Sequence, residues 1–123
     1  AAVMVMVMKD SMNLRKTYVL NRGNYDAHGD EVGFSTPKTI LPFDTTQFEQ
    51  NRLGLAKWMI DEKNPLTSRV FVNRIWQEFF GNGIVKTAGD FGMQGDLPTH
   101  PQLLDWLAEE FRTSDWDIKH LVK

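Results

Sequence analysis

Apolar residues recur at helical spacing through most of the second half of the chain and at no steady spacing through the first. From Asn51 to Glu62, Leu53, Leu55, Ala56, Trp58, Met59 and Ile60 cover more than half of a helical wheel, leaving a strip of Gly54, Lys57 and Asp61. This pattern predicts a largely buried helix. Asn64-Pro65 then supplies an N-cap and a first helical position where the missing N–H of proline costs nothing. The helix predicted there runs from Pro65 to Phe80. Its residues Leu66, Val70, Phe71, Val72, Ile75, Trp76, Phe79 and Phe80 lie nearly all round the axis, so it reads as a central rod wrapped by neighbours on every side. Gly81 stops it. An irregular stretch to Leu97 follows. Thr99 and Gln102 then have capping-box spacing for a third helix. Leu103, Leu104, Leu107, Ala108 and Phe111 share one face of that helix, with Asp105, Glu109 and Arg112 on the other. Asp117 caps the start of a fourth helix, with Trp116 placed to pack on Leu121 as a staple.

The first half reads differently. Val3 to Met8 alternates Val and Met, a run suited to a strand buried on both faces, and Lys16 to Leu20 is rich in β-branched and aromatic residues. Together they predict a two-stranded antiparallel pair connected through Lys9 to Arg15. From Asn21 to Gln50, Gly23, Gly29, Gly33, Pro37 and Pro42 break any periodicity, which predicts a long irregular loop. The fold class expected is therefore mainly α: three helices and a truncated fourth, preceded by a short β-pair and a long loop. Residues 1–48 form a lead-in segment and 49–123 a helical domain. The chain does not begin with Met and stops where a helix begins, so an internal fragment is expected.

Composition narrows the function classes. Eight Phe, four Trp and two Tyr supply enough large side chains for a core, and the four Trp, at helical spacing among Leu and Phe, are read as core. The net charge of −2 is spread along the chain. Neither nucleic acid nor a membrane surface is suggested, since both favour clustered basic residues. No run approaches the roughly 18 apolar residues of a membrane span. With no cysteine, disulfides, thiolate catalysis, Cys-ligated zinc and covalent haem attachment are excluded within the segment.

The polar residues that stand out are few. Arg69, Asn73 and Gln77 form an i, i+4, i+8 stripe on the otherwise apolar second helix, with Arg74 beside it. Buried amides and guanidinium groups need partners. They can hold an anionic or sugar-like ligand, or tie down carbonyls of the irregular loops, and the second reading is favoured. Arg52, in a first turn where a cation is mildly unfavourable, needs a carboxylate such as Asp90. His100, with Asp96 and Asp105 near it in sequence, is a general-base candidate without a linked nucleophile. Asp26, Asp30 and Glu31 offer oxygen ligands at a spacing that fits no metal loop, and turn chemistry explains them as well, so no metal site is assigned. Gly81-Asn82-Gly83 follows a helix instead of preceding one and lacks the Lys of a phosphate loop.

An ordered set of motifs carries a family resemblance. Asn51-Arg52-Leu53-Gly54-Leu55-Ala56-Lys57-Trp58 is followed by Asn64-Pro65-Leu66-Thr67-Ser68-Arg69-Val70, then Val72-Asn73-Arg74-Ile75-Trp76. Phe80-Gly81-Asn82-Gly83, Asp90-Phe91-Gly92 and His100-Pro101-Gln102-Leu103-Leu104-Asp105-Trp106-Leu107-Ala108 complete it, with Arg22-Gly23-Asn24-Tyr25 as a lead-in. The set resembles the planctomycete PSD-one domain, a domain of unknown function. The resemblance implies a large exported protein of the periplasm or cell envelope. It also implies a separate cytochrome-c-like domain that carries haem, with neighbouring domains of the same chain as the partners. It implies no activity. The leading functional expectation is a non-catalytic interaction or domain-packing module. The rival is a ligand-binding or catalytic part of a hydrolase or carbohydrate-processing enzyme, using Arg52, Arg69, Asn73, Arg74 and His100 in a cleft completed elsewhere.

Overall fold

The computed structural model describes residues 4–11 and 15–123. In chain order its strands and α-helices are β1 (Thr17–Leu20), β2 (His28–Val32), α1 (Arg52–Met59), α2 (Thr67–Phe80), α3 (Pro101–Thr113) and α4 (Ile118–Leu121), with a 3-10 turn at Asn21–Gly23 between the two strands. The mainly α architecture with a small antiparallel pair is as expected, but the pair is built from different segments.

β1 pairs with β2, matching Thr17 to Val32 and Leu20 to His28, with an irregularity between Tyr18 and Leu20. The predicted partner does not pair: residues 4–8 belong to no strand and are exposed. Val3, and Met12, Asn13 and Leu14 of the predicted connection, lie outside the described residues. The reason is local closure. Arg22 and Gly23 both adopt positive φ, 51° and 74°, and turn the chain tightly enough for the Asn21 N–H to reach the Ala27 carbonyl at 2.9 Å. β2, His-Gly-Asp-Glu-Val, has no buried face and so no apolar alternation to betray it. The Tyr18 and His28 rings stack at 4.6 Å, and Lys16 reaches Glu31 at 3.2 Å.

α1 is capped by Asn51, whose side chain accepts from the Gly54 N–H at 2.8 Å. Its burial inverts the expectation. Gly54 and Trp58 are buried, while Leu53, Leu55, Met59 and Ile60 are exposed. The chain entering the helix folds back so closely that a Cβ on Gly54 would lie 1.8 Å from the Glu49 carbonyl oxygen. The buried seam is thus marked by the smallest residue, and the helix touches its surroundings through one narrow stripe.

α2 starts two residues later than predicted. Asn64 still caps the region, its Oδ1 accepting from the N–H groups of Leu66 (3.0 Å) and Thr67 (3.4 Å). Gly81 closes the helix at φ 79°, its N–H bonding the Gln77 carbonyl. The helix is unbroken but is not wrapped on every side. Ser68, Val72 and Asn73 are buried, whereas Phe79 and Phe80 at the last turn are 62% and 64% exposed. Its main helix partner is α3, and Phe79 and Phe80 leave its last turn open to solvent.

The core lies between α2, the loop 81–99 and α3: Val72, Ile84, Val85, Leu104 and Phe111, flanked by Phe71, Trp76, Phe91, Leu103, Leu107, Trp116 and Leu121. Phe71 stacks on Phe111 at 4.9 Å, and Trp116 meets Phe111 edge-on at 5.1 Å. α3 buries the predicted face. Trp106, on the opposite face from Leu104, is 60% exposed, so the reading of all four Trp as core fails there. The capping box does not form either. The Thr99 hydroxyl donates to the Ile84 carbonyl at 3.1 Å, and His100 takes the N-cap position without a side-chain bond. Tying loop 81–99 to the helix start uses the hydroxyl that the cap required. Asp117 caps α4 as predicted, accepting from Lys119 and His120.

Candidate functional site

Asn73 is the most buried polar residue, 0% exposed on the face of α2 that meets loop 81–99. Its Nδ2 donates to the Val85 carbonyl at 3.0 Å, and its Oδ1 accepts from the Val85 N–H at 2.8 Å. The amide therefore acts as a one-residue β-partner for Val85, satisfying both backbone groups of a segment that has no strand beside it. Gly83 makes this approach possible. A Cβ there would lie 2.5 Å from the Val85 carbonyl oxygen and 2.7 Å from the Asn73 Nδ2.

Arg69, one turn earlier and part-exposed, is also engaged by groups of the chain itself. Its Nε bonds Asp105 of α3 at 2.6 Å and its Nη1 the Pro65 carbonyl at 2.6 Å. Arg74 is exposed at the rim of an open depression of about 510 Å³ with Leu66, Val70 and Phe91, and has no ion-pair partner among the described residues. His100 is exposed, its Nδ1 3.0 Å from the Thr99 hydroxyl. Since that hydroxyl donates to Ile84, Nδ1 is assigned as the donor. Asp105 pairs with Arg69, and among the described residues neither Asp96 nor Asp105 is paired with His100.

Arg52 pairs with Asp10, not Asp90. Its Nε lies 2.9 Å from Asp10 Oδ1 and its backbone N–H 3.3 Å from Oδ2. Asp90 instead turns its own loop, accepting from the Gly92 N–H at 2.7 Å. Arg52 lines a cavity of about 580 Å³ between the lead-in and the start of α1, and none of Arg69, Asn73, Arg74 or His100 lines it. Among the described residues no cluster of three or more His, Cys, Asp or Glu side chains is arranged to hold a metal ion. No described helix is long and apolar enough to cross a membrane.

A family model, PSD1, described as "Protein of unknown function (DUF1553)", matches residues 51–123. The chain belongs to the PSD1 family. No curated protein and no solved structure matches the chain.

Within the PSD1 segment the structure adds a residue that periodicity placed on the solvent face. Arg112 of α3 donates through Nη1 to the Glu62 carbonyl and through Nη2 to Glu109, while its Nε is buried without a hydrogen-bond partner. It fastens α3 to the turn between α1 and α2, a contact fifty residues away in sequence that no local pattern announces. Two further ties reach α1 and the turn after it from upstream of the matched segment. The Trp58 indole N–H donates to the Leu41 carbonyl at 3.0 Å, and Gln47 donates to Asp61 at 3.0 Å. In the PSD1 segment, then, polar side chains hold backbone, and its large apolar side chains reach solvent on α1 and at the end of α2.

Proposed function

We propose that this PSD1 segment is a non-catalytic packing module of a larger exported, cytochrome-c-linked protein. In this reading residues 1–48 are a lead-in and 49–123 a helical domain that docks on neighbouring domains of the same chain, in the periplasm or cell envelope. Haem is carried elsewhere in that parent. The observation that carries the reading is an inversion of polarity. Asn73 is fully buried and bonded to backbone, while Phe79 and Phe80 are more than half exposed. Trp76 lies against Phe80 at 4.3 Å, so the exposed end of α2 carries a joined aromatic surface. Surfaces of this kind mark places where protein meets protein. An enzyme site needs convergent polar groups facing a cleft. Here Arg69 and Asn73 are committed to Pro65, Asp105 and Val85.

Amide hydrogen exchange compares the chain alone with the same segment inside the longer parent polypeptide. The last turn of α2 is expected to exchange at least about tenfold more slowly in the parent. Equal exchange in both contexts overturns the packing reading. The cytochrome link is tested separately, by whether haem absorbance stays with the parent polypeptide after denaturation.

A further inference from the structure

We propose that the cavity between the lead-in and the start of α1 binds a small carboxylate with an apolar body, held at Arg52 in the place that Asp10 takes within the chain. The cavity volume of about 580 Å³ lies in the range that takes a small ligand. One part of its lining is charged: Arg15, Arg52 and Asp10. Another is apolar: Phe34, Phe43 and Leu55. Two guanidinium groups against one carboxylate leave an excess positive charge, in a chain whose net charge is −2. Arg15 has no carboxylate partner among the described residues.

Asp10 displays the recognition geometry. One carboxylate oxygen meets the Arg52 Nε at 2.9 Å, and the other faces the first N–H of α1 at 3.3 Å. A guanidinium beside free helix N–H groups is a suitable donor set for a carboxylate. The hold on Asp10 is weak. Both side chains of the pair are substantially exposed, and the residues before it, 4–9, belong to no strand or helix. An exposed ion pair contributes little. A free carboxylate that also covers Phe34, itself 62% exposed, gains burial that Asp10 does not.

The test is isothermal titration of the 123-residue chain with decanoate, and with decan-1-ol as the uncharged probe of equal body. Decanoate is expected to bind one-to-one and the alcohol at least about tenfold more weakly. Asp10→Ala removes the internal competitor and is expected to tighten decanoate several-fold. Arg52→Ala is expected to weaken decanoate about tenfold with an unchanged circular dichroism spectrum. No saturable heat, equal affinity for the alcohol, or weakening by Asp10→Ala each overturns the proposal. So does an Arg52→Ala chain of native spectrum that binds decanoate normally. If Arg52→Ala does not fold, the alcohol and Asp10→Ala decide.

Discussion

The loop 81–99 and the loop 33–50 are each fastened to a helix by one side chain bonded to a backbone carbonyl. Asn73 of α2 holds Val85, and Trp58 of α1 holds Leu41. The settings differ. The Asn73 amide both donates and accepts, and it sits beside Val72, Ile84, Val85, Leu104 and Phe111, all nearly free of water. The Trp58 indole only donates, and it shares the Leu41 carbonyl with the buried Thr36 hydroxyl, outside the cluster around Phe111. Phe43 lies 5.6 Å from Phe48, half-buried at the edge. A hydrogen bond holds a loop firmly where the alternative is an unpaired group in a dry core, and loosely where water can replace the partner. Loop 81–99 therefore belongs to the core, while loop 33–50 is laid over α1 and leaves a cavity beside it.

Asn73→Ala is the sharpest way to break the first arrangement and carries the largest expected effect. Both backbone groups of Val85 lose their partner at a site with 0% exposure for Asn73. Each buried group left unpaired costs about 1–3 kcal/mol, so the midpoint of urea unfolding should fall substantially. Asn73→Asp serves as a second probe, since it keeps an acceptor for the Val85 N–H and removes the donor to its carbonyl. A midpoint for Asn73→Ala within error of the parent chain would mean that loop 81–99 is held by apolar burial alone.

Trp58→Phe tests the second arrangement and should do less. The Leu41 carbonyl also accepts from the Thr36 hydroxyl at 3.4 Å, so it is not left bare. A loss of about 0.5–1.5 kcal/mol is expected from the bond, together with that of the smaller ring. The diagnostic readout is local: amides between Leu41 and Phe48 should exchange faster while those of α3 stay unchanged. Faster exchange in α3 as well would show that the lead-in and the helical core unfold as one unit and that the contrast between them is false.

How much of this was readable in the residues divides along the same line. α2 and α3 were legible because apolar spacing, Asn64, Gly81 and Pro101 all point to the same boundaries. The stripe Arg69, Asn73, Gln77 announced that polar groups in an apolar helix need partners, but the Asn73 partner lies twelve residues away in an irregular loop. Ile84-Val85 just after Gly83 was the available hint: two β-branched residues whose backbone has no strand to join. In the lead-in, β2 was missed because strand reading relies on a buried face, and His28–Val32 has none. The Val/Met run was over-read for the converse reason, since apolar residues suit a strand only where something covers them. Gly54 misled because a helical wheel treats glycine as blank, while the close passage of Glu49 makes it the point of contact. Arg52 was rightly expected to need a carboxylate, but Asp10 lies 42 residues upstream, beyond any local rule.

The smallest expected effect is a pH dependence confined to the lead-in. Asp44 opens the turn that presents Phe48 to the interior. Its Oδ1 accepts from the Thr46 hydroxyl at 2.6 Å and from the Thr46 N–H at 2.8 Å. The Thr46 hydroxyl, chiefly, and its N–H hold the Asp44 carboxyl below its ordinary value of 3.8, with smaller help from the Gln47 N–H and Lys63 against slight desolvation. A carboxylate whose folded value is lowered binds fewer protons folded than unfolded near that pH. Its contribution is therefore fully present above 3.8 and is lost as the pH falls through the lowered folded value. Between about pH 5 and pH 2, exchange at the Gln47 and Phe48 amides, corrected for intrinsic rates, should accelerate as this turn loosens. The Asp44→Asn chain should lack that step, since its side chain carries no charge to lose. Asn73 and Val85 have no titratable group in their clamp, so the Val85 amide should show no matching step attributable to Asp44. If the turn step persists in Asp44→Asn, another carboxylate governs it. If Val85 loosens in parallel and Asp44→Asn abolishes both, the two loops are coupled more tightly than their separate anchors imply.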